Sequence, residues 1–228
     1  QDVNEILDDN GIFLLEFADL ASIIKFNMFD TFCHEHLEYY SLKVTSKMCE
    51  KNNLRIFDIK RNNINGGSIQ LFICKKSAKY KDDNASISKF FAFKKKLKLH
   101  KKETYIKFFK KINKIKKKTL SFIKKVKNKN KTIHCYGAST KGNVLLQYFK
   151  IDNKIIDYAA ERNSKKYNLL TPGSKIKIIS EKKSRALLPD YYLVLPWHFK
   201  SEILKREKIA IKKGSKFIFP LPTMSINS

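Results

Sequence analysis

The stretch Thr132-Ile-His-Cys-Tyr136 runs without a break into Gly137-Ala-Ser-Thr-Lys-Gly-Asn143, and Val144–Phe149 continues as an apolar helical start. A short apolar strand, a glycine turn and a helix form the opening of a doubly wound α/β unit. The pattern goes on downstream. Ile155–Ala159 reads as the next strand, ending at Glu161-Arg162-Asn163. Tyr191–Leu195 reads as another, stopped by Pro196-Trp197-His198. Phe199–Glu207 reads as a helix and Phe217–Phe219 as a last strand before Pro220. The spacing predicts a Rossmann-like domain over residues 131–228.

The first part of the chain has a different rhythm. Asn10-Gly11 is a turn, Ile12–Phe17 a short strand, and Ala18–Phe26 a short helix. Ser41–Asn52 has helical spacing, with Leu42, Val44, Met48 and Cys49 expected on its buried face. Leu54–Ile59 and Ser68–Cys74 flank Asn65-Gly66-Gly67 and read as an antiparallel hairpin. Ser77–Ser88 is polar and reads as a loop. From Phe90 to Val126 the period is helical, with Ile106, Phe109, Ile112, Ile115, Leu120, Ile123 and Val126 as the apolar stripe. The expected organisation is an α/β chain with a first segment at 1–89, a basic amphipathic helical connector at 90–130, and the doubly wound domain at 131–228.

Charge bears on the choice of partner. The net charge is +27 over 228 residues, yet residues 1–50 hold ten acids against three lysines. The basic excess falls between Lys94 and Lys131, where Glu103 is the only acid. A solvated lysine face on an amphipathic helix accounts for this; a membrane-surface or polyanion role is the alternative. Lysine far outnumbers arginine, whereas readers of bases and phosphates lean on the arginine fork, so the composition argues against a nucleic-acid partner. No apolar run reaches about 18 residues, so no membrane partner is expected, and no secretory leader opens the chain. Its first residue is Gln, which reads as a fragment or a processed product. Cys33, Cys49, Cys74 and Cys135 show no Cys-x-x-Cys spacing, and free thiols in a cytoplasmic location are the simpler expectation.

Proton-transfer chemistry concentrates at Cys33-His34-Glu35-His36, followed by Tyr39 and Tyr40. In a strand or extended loop, alternation would place His34 and His36 on one side and Glu35 on the other. Three uses fit: a metal site with Cys33 as a third ligand, a general base working near neutral pH, or a structural pair. The Gly137–Asn143 turn can bring backbone N–H groups to a phosphate, with Ser139, Thr140 and Lys141 as added donors, or it is an ordinary tight turn. Glu161 stands where an acid commonly meets a ribose, or is a solvated strand-end acid. Asn65-Gly66-Gly67-Ser68 can bring backbone close to a ligand, or only turns the hairpin. Trp197 and His198 follow a strand at the end where open α/β sheets bind ligands; a core-capping Trp fits equally.

One ordered set of motifs spans nearly the whole chain. Phe29-Asp-Thr-x-x-His-Glu-His-Leu-x-Tyr-Tyr-Ser-Leu42 is followed by Asn65-Gly-Gly-Ser68, Tyr136-Gly-Ala-Ser-Thr-Lys-Gly-Asn143, Glu161-Arg-Asn163, Thr171-Pro-Gly173 and Pro196-Trp197. Together these resemble the nucleotide-sugar C-methyltransferases of deoxysugar biosynthesis. The resemblance implies the end of a class I methyltransferase domain followed by a Rossmann-like domain. It implies S-adenosylmethionine as methyl donor, its binding loop outside this chain, and a zinc segment likewise outside it. A nucleotide-diphosphate sugar is the implied partner. His36 is implied as the base that takes a proton beside a keto group, with Glu35, His34 and Tyr39 as its helpers and no metal in this chain. Asn65, Gly66, Gly67 and Ser68 are implied near the sugar. Gly137, Ala138, Ser139, Lys141, Gly142, Asn143, Glu161, Arg162 and Trp197 are implied on the substrate's nucleotide side. Many members carry Tyr where this chain has Cys33, and some carry His where it has Asn65. A non-catalytic nucleotide-sugar binding module is the alternative reading.

Overall fold

The computed structural model describes residues 1–62 and 64–227, with the side chains of Asn65 and Lys94 outside the described set. The chain divides into two compact units. The first comprises residues 1–26 and 37–108, the second residues 27–36 and 109–228.

The first unit is built on a three-stranded antiparallel sheet. In chain order come α1 (Asp2–Ile6), β1 (Phe13–Phe17), α2 (Leu20–Lys25), α3 (Leu42–Lys51), β2 (Leu54–Asn62), β3 (Ser68–Lys75) and α4 (Asn84–Leu97). Strand β3 is central, with β1 and β2 on its two sides. Its alternate residues Ile69, Leu71 and Ile73 are all buried, and Leu42, Cys49, Leu54 and Ile59 pack with them. That alternation is what a half-covered sheet demands. Asp19 caps α2 by accepting from Ser22 N at 3.3 Å, and Asp83 caps α4 by accepting from Ser86 N at 2.9 Å.

The second unit contains residues from Phe109 onward of α5 (Lys102–Lys127), then β4 (Ile133–Tyr136), α6 (Thr140–Phe149), β5 (Tyr158–Glu161), β6 (Ile178–Ser180) and α7 (Glu181–Ala186). It continues with β7 (Tyr191–Val194), α8 (Lys200–Arg206), α9 (Lys208–Lys212), β8 (Lys216–Phe219) and β9 (Ser225–Asn227). The strands lie in the order β6-β5-β4-β7-β8-β9. All neighbours are parallel except β8 with β9. Strands are added to one side of β4 by β5 and β6 and to its other side by β7 and β8, so the ends of β4 and β7 form the topological switch point of a doubly wound sheet. All four residues of β4 are buried, as a central parallel strand requires.

The structure departs from several expectations for local reasons. In α3 the buried residues are Leu42, Thr45 and Cys49, while Val44 and Met48 are 47% and 46% exposed. Positions three and seven after Leu42 return to its face, and positions two and six do not. In α5 Phe108 and Thr119 are buried, while Ile106 and Phe109 are exposed. The buried stripe is thus Phe108, Ile112, Ile115, Thr119, Ile123 and Val126, a repeat of three and four. The loop after Ser77 ends at the Asp83 cap, so Asn84–Ser88 are helical. Strand β5 starts at Tyr158 because Ile155 and Ile156 donate their amides to Asp152 O in a turn. Helix α6 begins at Thr140, earlier than the apolar run suggests, because Ser139 caps it through Gly142 N at 3.1 Å.

Candidate active site

Residues 27–36 are pinned to the second unit by a series of unlike contacts. Asn27 Nδ2 donates to Pro222 O at 3.0 Å. Phe29 stacks on Phe149 at 5.5 Å between ring centroids and tilts against Tyr148 at 5.3 Å. Asp30, only 1% exposed, accepts from the indole Nε1 of Trp197 at 2.8 Å. Its other oxygen, Oδ1, is buried with no hydrogen-bond partner among the described residues. The segment Phe29–Thr31 is a short 3-10 turn, and a second turn closes with His36 N donating to Cys33 O at 3.1 Å.

That second turn carries His34, Glu35 and His36. His36 Nδ1 lies 2.9 Å from the backbone oxygen of Thr31. A carbonyl oxygen can only accept, so Nδ1 carries the hydrogen and the neutral ring keeps its lone pair on Nε2. Glu35 accepts from Thr140 Oγ1 at 3.0 Å, which fastens the turn to the first residue of α6. His34 is exposed. Tyr39 belongs to the first unit and lines a cleft there.

Charge in this part of the second unit is arranged around Asp30 and Lys141. Burial pushes the Asp30 carboxyl above its ordinary range, against the opposing pull of Trp197 and Lys141. Burial lowers Lys141, while Asp30 and Cys33 draw it back up. His198 is pushed down to about 4 by burial and by the neighbouring Lys141 charge. A buried acid and a partly buried ammonium thus lie against the element that carries the candidate base. Among the described residues, no group of three or more His, Cys, Asp or Glu is placed to hold a metal ion.

The Gly137–Asn143 turn is held closely from within. Gly137 has φ +85°, and a Cβ there would stand 2.9 Å from Pro196 Cδ. A Cβ on Gly142 would stand 2.8 Å from Leu195 Cδ1. Both glycines are therefore required by the close approach of the β4 and β7 ends. Glu161 accepts from the amides of Ala138, Arg162 and Asn163 at 2.9, 2.8 and 3.0 Å. Burial alone would raise its carboxyl; those amides bring it below the usual range. Most of its acceptor capacity serves the turn. A cleft of about 330 Å³ opens at the switch point, lined among others by Gly137, Ser139, Glu161, Arg162, Pro196 and Arg206. Its floor is stiffened by a charge network. Glu207, 1% exposed, accepts from Tyr136 Oη at 2.7 Å and from Arg185 at 2.9 and 2.8 Å.

Residues 63–222 match the family of the C-methyltransferase C-terminal domain. Over 220 residues the chain is 30% identical to the C-methyltransferase NovU of Streptomyces niveus, covering 96% of this chain and 52% of that protein. The chain belongs to the C-methyltransferase family. It spans about half the length of the curated relative it matches.

Within this C-methyltransferase chain the structure gathers His34, Glu35, His36, Lys141 and Trp197 in one compact unit, together with Gly137, Ala138, Ser139, Gly142, Asn143, Glu161 and Arg162. Gly66, Gly67 and Ser68 turn the hairpin of the first unit, with Ser68 Oγ donating to Ile64 O at 3.1 Å; the Asn65 side chain lies outside the described residues. Asp30 and Thr31 join the site without having been given a role by sequence pattern, whereas Thr140 and His198, both noted there, enter it beside Glu35 and Lys141. The available signal was an acid beside Phe29 and two positions before Phe32, an environment that favours an acid only if it is paired.

Proposed function

We propose that this chain is the base-bearing and substrate-holding part of an S-adenosylmethionine-dependent C-methyltransferase acting on a nucleotide-linked keto sugar. The observation that carries the reading is the hydrogen bond from His36 Nδ1 to Thr31 O at 2.9 Å, because it leaves Nε2 as the basic atom. In the proposed reaction Nε2 takes a proton from the sugar carbon beside the carbonyl. The C–H electron pair moves towards the carbonyl oxygen, giving an enolate whose carbon is the nucleophile. Thr31 O holds the imidazolium that forms, and Glu35, fixed by Thr140, adds compensating negative charge. The methyl group comes from S-adenosylmethionine. The only strand–glycine–helix turn among the described residues, at Gly137, has its acid engaged by three backbone amides and both glycines taken up by packing. We therefore place the methyl donor on the remainder of a longer protein, a reading supported by the 52% coverage of the NovU relative. The nucleotide's phosphates are proposed to meet the cleft at the switch point.

The test is wash-in of solvent deuterium at the sugar carbon beside the keto group, measured on the full-length protein without methyl donor. Wild type should exchange, and His36→Ala should lose exchange by about 10²–10⁴-fold while still binding the nucleotide sugar. Exchange at the wild-type rate in His36→Ala would remove the base assignment. A protein that binds the nucleotide sugar yet never exchanges would instead be the non-catalytic binding module.

A further inference from the structure

Helix α6 lays one face on the segment that bears His36. Tyr148 and Phe149, at its end, carry Phe29 at 5.3 and 5.5 Å between ring centroids. Thr140 Oγ1, at its start, donates to Glu35 at 3.0 Å. Lys141 stands seven positions before Tyr148, two turns of helix away and on that same face, and it is partly buried. Asp30 and Cys33 both act on its charge, and it acts in turn on His198. Cys33 O accepts from His36 N at 3.1 Å, the bond that closes the turn. Lys141 follows Thr140 and His36 follows Glu35, so the cation and the candidate base each stand one residue from the bond that ties helix to turn.

The glycine turn before the helix serves another place. Gly137, Ala138 and Ser139 line the cleft at the switch point, and Lys141 is not among its lining residues. The family resemblance put all four on the nucleotide's side; the fold parts them. This placement, on a helix face covered by the base-bearing segment, sets Lys141 off from the many lysines of the surface. Asp30 offers it charge balance from that segment, one oxygen accepting from Trp197 Nε1 and the other buried with no hydrogen-bond partner among the described residues. An ammonium has three N–H donors, so contacts within the protein and a bond to a substrate oxygen are compatible.

The reaction proposed above leaves one charge unattended. As His36 Nε2 takes the proton, the C–H pair becomes the carbon–carbon double bond and the carbonyl π pair settles on oxygen. Thr31 O and Glu35 serve the imidazolium and, being acceptors, cannot serve that oxygen. We propose that Lys141 is the donor that holds the enolate oxygen, keeping its own N–H bond and setting its positive charge against the developing negative one. A partly covered ammonium is screened less by water than a surface one, so its pull on that charge is stronger. The inference rests on the keto-sugar reading and adds an electrophile to it.

Deuterium wash-in on the full-length protein, run beside calorimetric titration, tests this with the nucleoside-diphosphate keto sugar that wild type exchanges as probe. Lys141→Met should slow exchange about 10²–10³-fold, the loss expected for one oxyanion donor. Affinity for the probe should stay near that of wild type, because the oxygen gains its charge only as the proton leaves. Lys141→Arg, which keeps a cation, should recover part of the rate. The double variant Asp30→Asn/Lys141→Met separates this role from that of a counter-ion to Asp30. It removes both charges while Asn still accepts from Trp197, and its exchange should stay as far below that of Asp30→Asn as Lys141→Met lies below wild type. Trp197 fluorescence reports whether each variant is folded, and the double variant carries the comparison where Lys141→Met is not. Recovery in the double variant, undiminished exchange in Lys141→Met, or a loss of affinity that matches the loss of rate would each overturn the assignment to Lys141 and leave the base at His36 standing. Undiminished exchange in His36→Ala, or a wild-type protein that exchanges no keto sugar, would instead strike the reaction itself, and the Lys141 role with it.

Discussion

Replacing Asp30 by Ala tests how the base-bearing segment is held. The carboxylate is 1% exposed and accepts from Trp197 Nε1 at 2.8 Å. Truncation leaves a buried indole N–H without an acceptor, which costs about 1–3 kcal/mol. It also deprives Lys141 of its compensating charge, a loss that is smaller than for a fully buried pair because Lys141 is only partly covered. Against these stands the relief of an acid whose buried charge is unfavourable. The net expectation is a loss of about 2 kcal/mol in the second unit at pH 7. Trp197 is the chain's only tryptophan, so denaturant unfolding followed by its fluorescence reads the affected unit directly. The pH dependence has a definite sign. Burial raises the native Asp30 above its ordinary 3.8, so its contribution is complete below 3.8 and declines as pH rises through the raised native value. The deficit of Asp30→Ala should therefore be larger near pH 3.5 than at pH 7. A deficit under about 0.5 kcal/mol, or one that grows with pH through that window, would refute this account of the pair.

Three further outcomes follow from the same contacts. Gly142→Ala should destabilise by about 1–3 kcal/mol by overpacking, and Leu195→Ala should not rescue it, because Leu195 Cβ itself lies 2.9 Å from the added carbon; thermal unfolding of single and double variants decides. His134, 3% exposed, is pushed down to about 4 by burial, so the native state resists its protonation. Its contribution is present above pH 6.5 and falls by roughly 3 kcal/mol as pH drops through 4; His134→Phe should show a shallower loss between those values in acid unfolding. Thr140→Val should cost under about 1 kcal/mol of stability yet slow deuterium exchange about tenfold or more by loosening Glu35, a split that equal unfolding midpoints and unequal exchange rates would display.

Sequence pattern carried the doubly wound sheet well because its central strand and turn are unambiguous. Ile133–Tyr136 is wholly buried, and the glycine turn leads straight into a capped helix. The three-residue strands Ile178–Ser180 and Ser225–Asn227 were not legible, since three residues cannot display a period. Apolar character misled where it was not burial. Val44 and Met48 look like core and face outward, and Val44 instead lines a cleft. Ile156 is wholly buried, yet it sits in the turn before β5 and not in the strand. In the candidate site the proposed base and its neighbours were legible by type: two imidazoles and a carboxylate in three positions. Their supports were not. Trp197 reaches Asp30 across 167 residues, and Thr140 reaches Glu35 across 105. No local pattern encodes contacts at such separations.

Those long-range supports bear on how the proposed base would be held. The ten residues 27–36 cluster with the doubly wound unit, although more than seventy residues of the first unit follow them in sequence. Their ties run to distinct parts of one sheet system: Asn27 to the loop before β9, Phe29 to the end of α6, Asp30 to the turn after β7, and Glu35 to the start of α6. Two of those parts, the start of α6 and the turn after β7, follow strands at the switch point, where open sheets take ligands. A shift of α6 or of the Trp197 turn therefore displaces the His36 ring, whose Nε2 would need placement within a fraction of an ångström for the proposed proton transfer. The stiff elements around it favour a fixed base: two glycines packed against Pro196 and Leu195, and a buried Glu207 held by Arg185. A change at Leu195 should thus act on the proposed proton abstraction by moving the start of α6. Deuterium exchange measured beside the unfolding midpoint of Leu195→Val would separate displacement of the proposed base from loss of stability: slower exchange at an equal midpoint is expected, and unchanged exchange would refute it.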